Sequence, residues 1–213
     1  MTRTAEKDPA QVSLRQVDKF AERRDQLAEA ALQTLSELGY ARTSLREIAQ
    51  NSEFSHGVLH YYFTDKVDLI THCVRQYKAR CVARYDEIMA DATTPPELRR
   101  RFAAGLTQTM LADAAMHRLW YDLRAQSLFE PSFRVDVAEI DQSLERMIWR
   151  IVTRLAELTS IVPVLSSSVS YALFDGLFQQ GLLRHLSGEA DAAPALQRSL
   201  EDVLALVLPV VEA

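Results

Sequence analysis

The chain has 213 residues, of which 48% are hydrophobic and 25% charged, and its formal net charge at pH 7 is -5. This balance is ordinary for a globular protein with one small and one medium domain. No apolar run approaches the ~20 residues that a membrane helix needs, and the first nine residues lack the apolar core of a signal peptide, so we expect a cytoplasmic protein without a membrane partner.

The N-terminal third begins with a polar segment and continues as a helix. Residues 1–18 show no periodicity and predict a disordered arm. The pattern becomes helical from about Phe20, and Gly39 ends the helix because glycine readily closes a helix C-terminus. The apolar stripe of this first helix consists of Leu27, Ala31, Leu35 and Leu38.

Two short helices follow. Ser44 and Glu47 have the spacing of a capping box, in which each side chain satisfies a backbone N–H at a helix start. This second helix ends near Asn51, and Ser55 is a natural N-cap for a third helix over residues 56–63. Two helices of about two turns each, separated by a short turn, predict a helix-turn-helix.

The rest of the chain predicts longer helices. Asp65 caps the fourth helix, and the pair Pro95 and Pro96 forbids its continuation and begins the fifth. The predicted ranges are about 66–91, 95–111, 113–127, 131–159 and 166–186, with a last helix over about 196–207. The sequence therefore predicts an all-α fold of about nine helices: a disordered arm (1–18), a three-helix helix-turn-helix domain (19–66) and a helical bundle (67–213).

The two cysteines do not indicate a disulfide or a metal site. Cys73 and Cys81 lie on one predicted helix, roughly 12 Å apart along its axis, which is too far for a disulfide. His72 beside Cys73 does not complete a ligand cluster. We expect buried, reduced thiols, no metal and no cofactor.

One segment carries a recognisable motif. The string Thr43–Ala49, followed by Phe54–Lys66, resembles the DNA-binding signature of the TetR family of transcriptional regulators. The similarity spans about Leu27 to Leu69 and is specific because it requires aromatic, Gly and Lys residues in a fixed order. The resemblance implies a homodimer in which an N-terminal helix-turn-helix grips operator DNA and a larger helical domain binds a small molecule.

A recognition helix of two turns offers its first residues to base edges in the major groove. Gly57 permits a close approach, and Val58 can touch a thymine methyl group. His56, His60 and Tyr61 can hydrogen-bond to base edges or pack on them. The family usually has Tyr at the position of His60, so the resemblance does not carry over the base preference or the phosphate contact at this site, and the contact there can depend on pH.

Other residues are expected to hold the phosphates. Tyr62 and Lys66 match family positions that clamp the DNA backbone, and Thr43 with Ser44 should present a hydroxyl or N–H group at the start of the second helix. Arg46 can reach a phosphate or a guanine edge. The predicted DNA-binding set is Thr43, Ser44, Arg46, Ser55, His56, Gly57, Val58, His60, Tyr61, Tyr62 and Lys66.

Two observations oppose this interpretation. Residues 1–66 contain nine Lys and Arg against ten Asp and Glu, although phosphate contacts need cations only on the face that meets the duplex. Tyr61, Tyr62 and Phe63 could also be core aromatics. We assign Phe63 and Leu59 to the core, and His60 and Tyr61 to the DNA.

The C-terminal helices contain the predicted dimer and effector sites. The segment from Ala172 to Phe178 looks like the penultimate helix of many family members, in which the last two helices build the dimer. The predicted interface residues are Phe174, Leu177, Phe178, Gly181, Leu200 and Leu204. Bulky or polar residues where a plain bundle would use Leu predict an apolar cavity with a few polar anchors: Phe102, Met110, His117, Trp120, Tyr121, Arg124, Phe133, Met147, Trp149 and Phe178.

The sequence therefore predicts a repressor that binds palindromic DNA as a homodimer and is released by a lipophilic or aromatic effector. We expect no enzyme, since no Gly-rich phosphate loop or metal-ligand cluster occurs and the candidate acids Asp122 and Asp175 have no partners at a suitable spacing. The alternative is a DNA-silent ligand-binding or adaptor dimer with the same fold.

Overall fold

The computed structural model describes residues 9–39 and 43–208, which contain helices and no strand. The nine α-helices are α1 (Pro9–Leu38), α2 (Leu45–Gln50), α3 (His56–Tyr62), α4 (Lys66–Asp91), α5 (Pro95–Ala112), α6 (Ala114–Gln126), α7 (Arg134–Thr159), α8 (Ser167–Leu186) and α9 (Ala192–Val207). A short 3-10 turn, Pro131–Phe133, precedes α7. The all-α prediction is confirmed.

Helix α1 begins earlier than predicted. It starts at Pro9, so residues 9–18 are helical. This helix corrects the prediction of a disordered arm over these residues. Proline suits the first turn of a helix, and residues 10–18 contain neither Gly nor Pro, so nothing interrupts the helix. Residues 1–8 of the predicted arm lie outside the described residues.

The chain forms two compact units, which divide between Cys73 and Val74 within α4. The predicted domain boundary after Lys66 lies at the start of the same helix. In the first unit, the short helices turn their apolar residues inward against α1. The fully buried side chains include Leu27, Ala31, Leu35, Ile48, Leu59, Leu69, Ile70 and Cys73.

The second unit is a helical bundle with its own core. Helix α7 shows the pattern most clearly, because the apolar residues that recur at helical spacing between Val137 and Leu155 are buried. Helices α8 and α9 approach closely at Gly181, where an added Cβ would lie 3.0 Å from the Leu196 side chain. Within the described residues, no helix combines the length and apolar character needed to cross a membrane.

Candidate functional site

Helix α3 is anchored on one side and exposed on the other. The Ser55 hydroxyl accepts a hydrogen bond from the Val58 N–H (3.3 Å), which fixes the start of the helix. Leu59 and the following Phe63 are buried in the core of the first unit. The remaining face, with His56, Gly57 and His60, is therefore exposed.

The aromatic side chains of α3 extend this exposed face. The His56 and His60 rings lie one turn apart with centroids 4.4 Å from each other. Tyr61 is 72% exposed, and Tyr62 is half-buried with its ring 4.7 Å from that of Phe20 on α1. Imidazole, phenol and backbone groups on one open surface can hydrogen-bond to base edges and phosphates.

The predicted contact residues at the start of α2 differ in their exposure and in their hydrogen bonds. The capping box is present: the Ser44 hydroxyl accepts from the Glu47 N–H (3.2 Å), and the Glu47 carboxylate accepts from the Ser44 N–H (2.7 Å). The Ser44 hydroxyl can still donate its own proton, and Arg46 is exposed. Thr43 is buried and its hydroxyl donates to the Gly39 carbonyl (2.6 Å), so the hydroxyl does not face outward; the alternative contact through its backbone N–H stays a prediction.

The turn between α3 and α4 is fixed by Asp68. Its carboxylate pairs with Arg24 of α1 and accepts the Thr64 N–H (3.0 Å). The Asp65 carboxylate in turn caps the Asp68 N–H (2.9 Å). Lys66, the first residue of α4, is half-buried beside this network.

The second unit contains a cavity of about 60 Å³. Helices α4 to α8 supply its wall, and aromatic rings dominate it. The lining residues are Lys78, Cys81, Tyr85, Leu106, His117, Trp120, Tyr121, Leu144, Met147, Ile148, Tyr171, Phe174, Asp175 and Phe178.

Half of the predicted effector residues line this cavity: His117, Trp120, Tyr121, Met147 and Phe178. Phe102 and Met110 are buried in the same apolar core without reaching the cavity, and Trp149 packs partly buried against that core. Phe133 is buried outside the core cluster. Arg124 does not line the cavity, but it forms an ion pair with the lining residue Asp175.

A chain of hydrogen bonds leads from the cavity into the protein. The Lys78 ammonium donates to His117 Nδ1 (3.2 Å), so the proton of the neutral ring sits on Nε2 and is directed to the Tyr77 hydroxyl (3.0 Å). Tyr77 in turn donates to the Asp113 carboxylate (2.9 Å). The chain connects α4 with α6 and with the junction between α5 and α6.

Burial sets the protonation of the side chains in this series of hydrogen bonds. Desolvation lowers the pKa of Lys78 to about 8. Desolvation, reinforced by the Lys78 charge, holds the pKa of His117 well below its usual value. Burial raises the pKa of the Tyr77 hydroxyl, so it remains a neutral donor.

The carboxylates near the cavity have partners. Asp175 pairs with Arg124 and accepts a hydrogen bond from the Tyr121 hydroxyl (3.0 Å). Asp141 lies 3.3 Å from the same guanidinium and accepts from the Tyr171 hydroxyl (2.5 Å).

The sequence analysis missed the contribution of α4, namely Lys78, Cys81 and Tyr85. A signal was present: Val74, Lys78, Cys81 and Tyr85 recur at three- and four-residue spacing, which places a lysine on an apolar stripe. A lysine at such a position is buried only if other helices cover it, and its neighbours α6 and α7 are distant in sequence.

The predicted dimer residues are mostly enclosed within one protomer. Phe174, Phe178, Gly181, Leu200 and Leu204 are buried, and Leu177 is half-buried. These five residues pack within the protomer, and the predicted interface stays a prediction. The exposed stripe of α8 consists instead of Val169, Leu173, Gly176, Gln180 and Leu183.

Comparison with known proteins gives matches along most of the chain. A model described as "Bacterial regulatory proteins, tetR family" matches residues 27–73. The chain is 31% identical over 166 residues to the HTH-type transcriptional regulator BetI of Stenotrophomonas maltophilia (strain R551-3), covering 76% of this chain and 82% of that relative. It is 28% identical over 197 residues to the regulator of the same name from Burkholderia thailandensis, covering 88% and 94%.

Solved structures show the same fold. The transcriptional regulator FadR from Bacillus subtilis, in complex with stearoyl-CoA, superposes with a TM-score of 0.71 at 19% identity, covering 84% of this chain and 96% of that chain. A TetR transcription regulator from Haloarcula marismortui has a TM-score of 0.73 at 15% identity, covering 88% and 99%.

Proposed function

Because this chain belongs to the TetR family of bacterial transcriptional regulators, we propose that it is a repressor. A homodimer binds a palindromic operator, and a small lipophilic or aromatic effector releases it. The protein acts by binding, without catalysis. The observation that carries the proposal is the exposed face of α3, since an ordinary core helix would enclose His56, His60 and Tyr61.

A two-fold operator requires a two-fold protein. The exposed stripe of α8 is the surface we propose for the second copy, because Val169, Leu173 and Leu183 are apolar side chains open to solvent. Gly176 lies in the middle of this stripe, where an added Cβ would meet nothing within 4 Å. The glycine therefore permits close approach of a partner helix.

The effector is proposed to occupy the ring-lined cavity. Its volume of about 60 Å³ is small, since pockets for drug-sized ligands measure roughly 300–1,000 Å³. The lining must therefore move apart when an effector enters. The apolar, ring-lined wall suits a lipophilic ligand, and a regulator of the same fold was solved with stearoyl-CoA.

Helix α4 is the proposed carrier of the signal. It supplies Lys78, Cys81 and Tyr85 to the cavity and begins at Lys66, directly after α3. Two recognition helices about 34–36 Å apart fit successive major grooves. An effector that binds more tightly to a conformation with a different separation shifts the population away from DNA.

The test is a gel shift with DNA from upstream of the protein's own coding sequence. Replacing Tyr61 with Ala should weaken binding about tenfold or more, because one base or phosphate contact contributes about 1–3 kcal/mol. The matched control is Phe129→Ala, since Phe129 is an exposed aromatic (83%) in the other unit. Parent-like binding by Tyr61→Ala, or no DNA binding by the parent, would favour the DNA-silent alternative.

A further inference from the structure

Lys78 is a buried cation that makes no direct contact with a carboxylate among the described residues. Its side chain lies at the cavity wall, and its hydrogen bond runs to His117 Nδ1 (3.2 Å), a neutral acceptor. In the part of the chain that the structure describes, the ammonium pairs with no carboxylate. An ammonium in an apolar wall is costly unless an anion compensates it.

The neighbouring acids do not contact the ammonium. Asp175 and Asp141 both pair with Arg124, and each also accepts a tyrosine hydroxyl. They attract the Lys78 charge only at longer range. The ammonium therefore has no carboxylate within hydrogen-bond distance, and that direct position is open to a ligand.

A second donor near Lys78 lacks a partner. The indole Nε1 of Trp120 is buried and makes no hydrogen bond, and Trp120 lines the cavity. The Lys78 Nζ lies 5.5 Å from the centre of the Trp120 ring. Buried donors normally have acceptors. The Lys78 ammonium and the Trp120 N–H can therefore both donate to a ligand group with several acceptor atoms.

Lys78 also borders a second space. A groove of about 300 Å³ lies between α4 and α7, and its lining includes Lys78, Arg75 and Arg146. Arg75 is paired with Asp136 and Glu139, whereas Arg146 is exposed. The ammonium therefore stands between a ring-lined apolar cavity and a polar groove that contains further cations.

We propose that the effector is a lipophilic carboxylic acid whose apolar chain fills the cavity and whose carboxylate pairs with the Lys78 ammonium. This inference rests on the proposed effector function of the cavity. The rings alone would also suit a quaternary ammonium ligand by cation–π contact, but the buried charge of Lys78 repels a cation.

The test is calorimetric titration with three probes that share an eight-carbon chain: octanoate, 1-octanol and octyltrimethylammonium. Octanoate should bind the parent most tightly. Lys78→Met keeps the length of the side chain and removes its charge, so octanoate affinity should fall about tenfold or more while octanol affinity is unchanged. Met147→Leu is the control, because it alters the lining without altering charge, and it should leave the order of the probes unchanged.

The pH profile gives an independent readout. Groups from several helices face Lys78: Tyr77 and Cys81 of α4, His117, Trp120 and Arg124 of α6, Asp141 of α7 and Asp175 of α8. Because burial lowers the pKa of Lys78 to about 8, the ammonium loses its proton above that pH. Octanoate affinity should then fall about tenfold per pH unit, while octanol affinity stays constant.

Three results would overturn the inference: octanoate that binds Lys78→Met as tightly as the parent, octyltrimethylammonium that binds the parent more tightly than octanoate, or no octanoate binding at millimolar concentration. Operator binding is measured separately, without any probe. Loss of operator binding alone contradicts the repressor function, and loss of octanoate binding alone contradicts the carboxylate site.

Discussion

His117 has both ring nitrogens engaged inside the second unit, between the Lys78 ammonium and the Tyr77 hydroxyl. Burial, followed by the Lys78 charge, lowers its pKa well below the usual value. In the unfolded chain the same ring titrates near pH 6.5. As the pH falls below that value, His117 binds a proton in the unfolded state but stays neutral in the folded state.

The free energy of unfolding should therefore decrease as the medium is acidified below about pH 6.5, by roughly 1.4 kcal/mol per pH unit from this ring alone. His117→Gln removes the titrating group, so its stability should fall less steeply over the same range. Urea unfolding of both proteins between pH 7 and pH 5 measures the difference, in which shared carboxylate effects cancel. Parallel curves would show that His117 is protonated in the fold.

At the level of single residues, the sequence predicted the exposed face of α3 better than the cavity. Ser44 and Ser55 were identified as caps from local spacing, because a cap is made within three residues. The burial of Thr43 and Lys78 could not be predicted from local spacing, since it depends on partners elsewhere in the chain. Thr43 faces the Gly39 carbonyl, and Lys78 is enclosed by helices that follow it by dozens of residues.

Helix α8 carries two glycines with opposite surroundings. Gly181 faces Leu196 of α9 within the protomer, whereas Gly176 is exposed and an added Cβ there meets nothing. The second position therefore probes the contact with another copy without disturbing the protomer. A charged side chain at the centre of an apolar interface is strongly unfavourable.

We expect Gly176→Glu to be monomeric at micromolar concentration and to lose about tenfold or more in operator affinity. Folding should not suffer, because replacing an exposed glycine inside a helix removes a cost of up to about 1 kcal/mol. Sedimentation velocity measures the mass, and Ala125→Glu, at an exposed position of α6, adds the same charge elsewhere. A dimer of Gly176→Glu would place the interface on a different surface.

The elements themselves were largely predictable, but their orientation was less so. Polar–apolar periodicity identified the buried stripe of α7, whose apolar residues face one way. Helix α8 has apolar residues on most of its sides, so periodicity could not separate the core residue Phe174 from the exposed neighbour Leu173. The early start of α1 was missed because its first turns lack an apolar stripe.

The cavity and the DNA-binding unit share helix α4, whose residues from Val74 onward belong to the second unit. In the proposed mechanism, any group that expands the cavity favours the released conformation. A larger side chain in the lining should then imitate the effector. Leu144 lines the cavity and is buried.

We expect Leu144→Trp to lower operator affinity in the absence of any ligand by about fivefold to one hundredfold, because overpacking costs about 1–3 kcal/mol and expansion relieves it. Leu144→Met conserves volume and serves as the control. Fluorescence anisotropy with labelled operator measures affinity, and circular dichroism verifies that both variants are folded. Unchanged operator affinity in a folded Leu144→Trp protein would contradict the proposal that expansion of the cavity causes release from DNA.

The two cysteine thiols of the chain differ in their surroundings. The Cys73 thiol donates to the Ala28 carbonyl (3.3 Å), and burial raises its pKa, which keeps it in the unreactive protonated form. Cys81 belongs to the wall of the cavity. A small alkylating reagent that enters this cavity therefore meets the Cys81 thiol, and its reaction can be followed by mass spectrometry without adding a label.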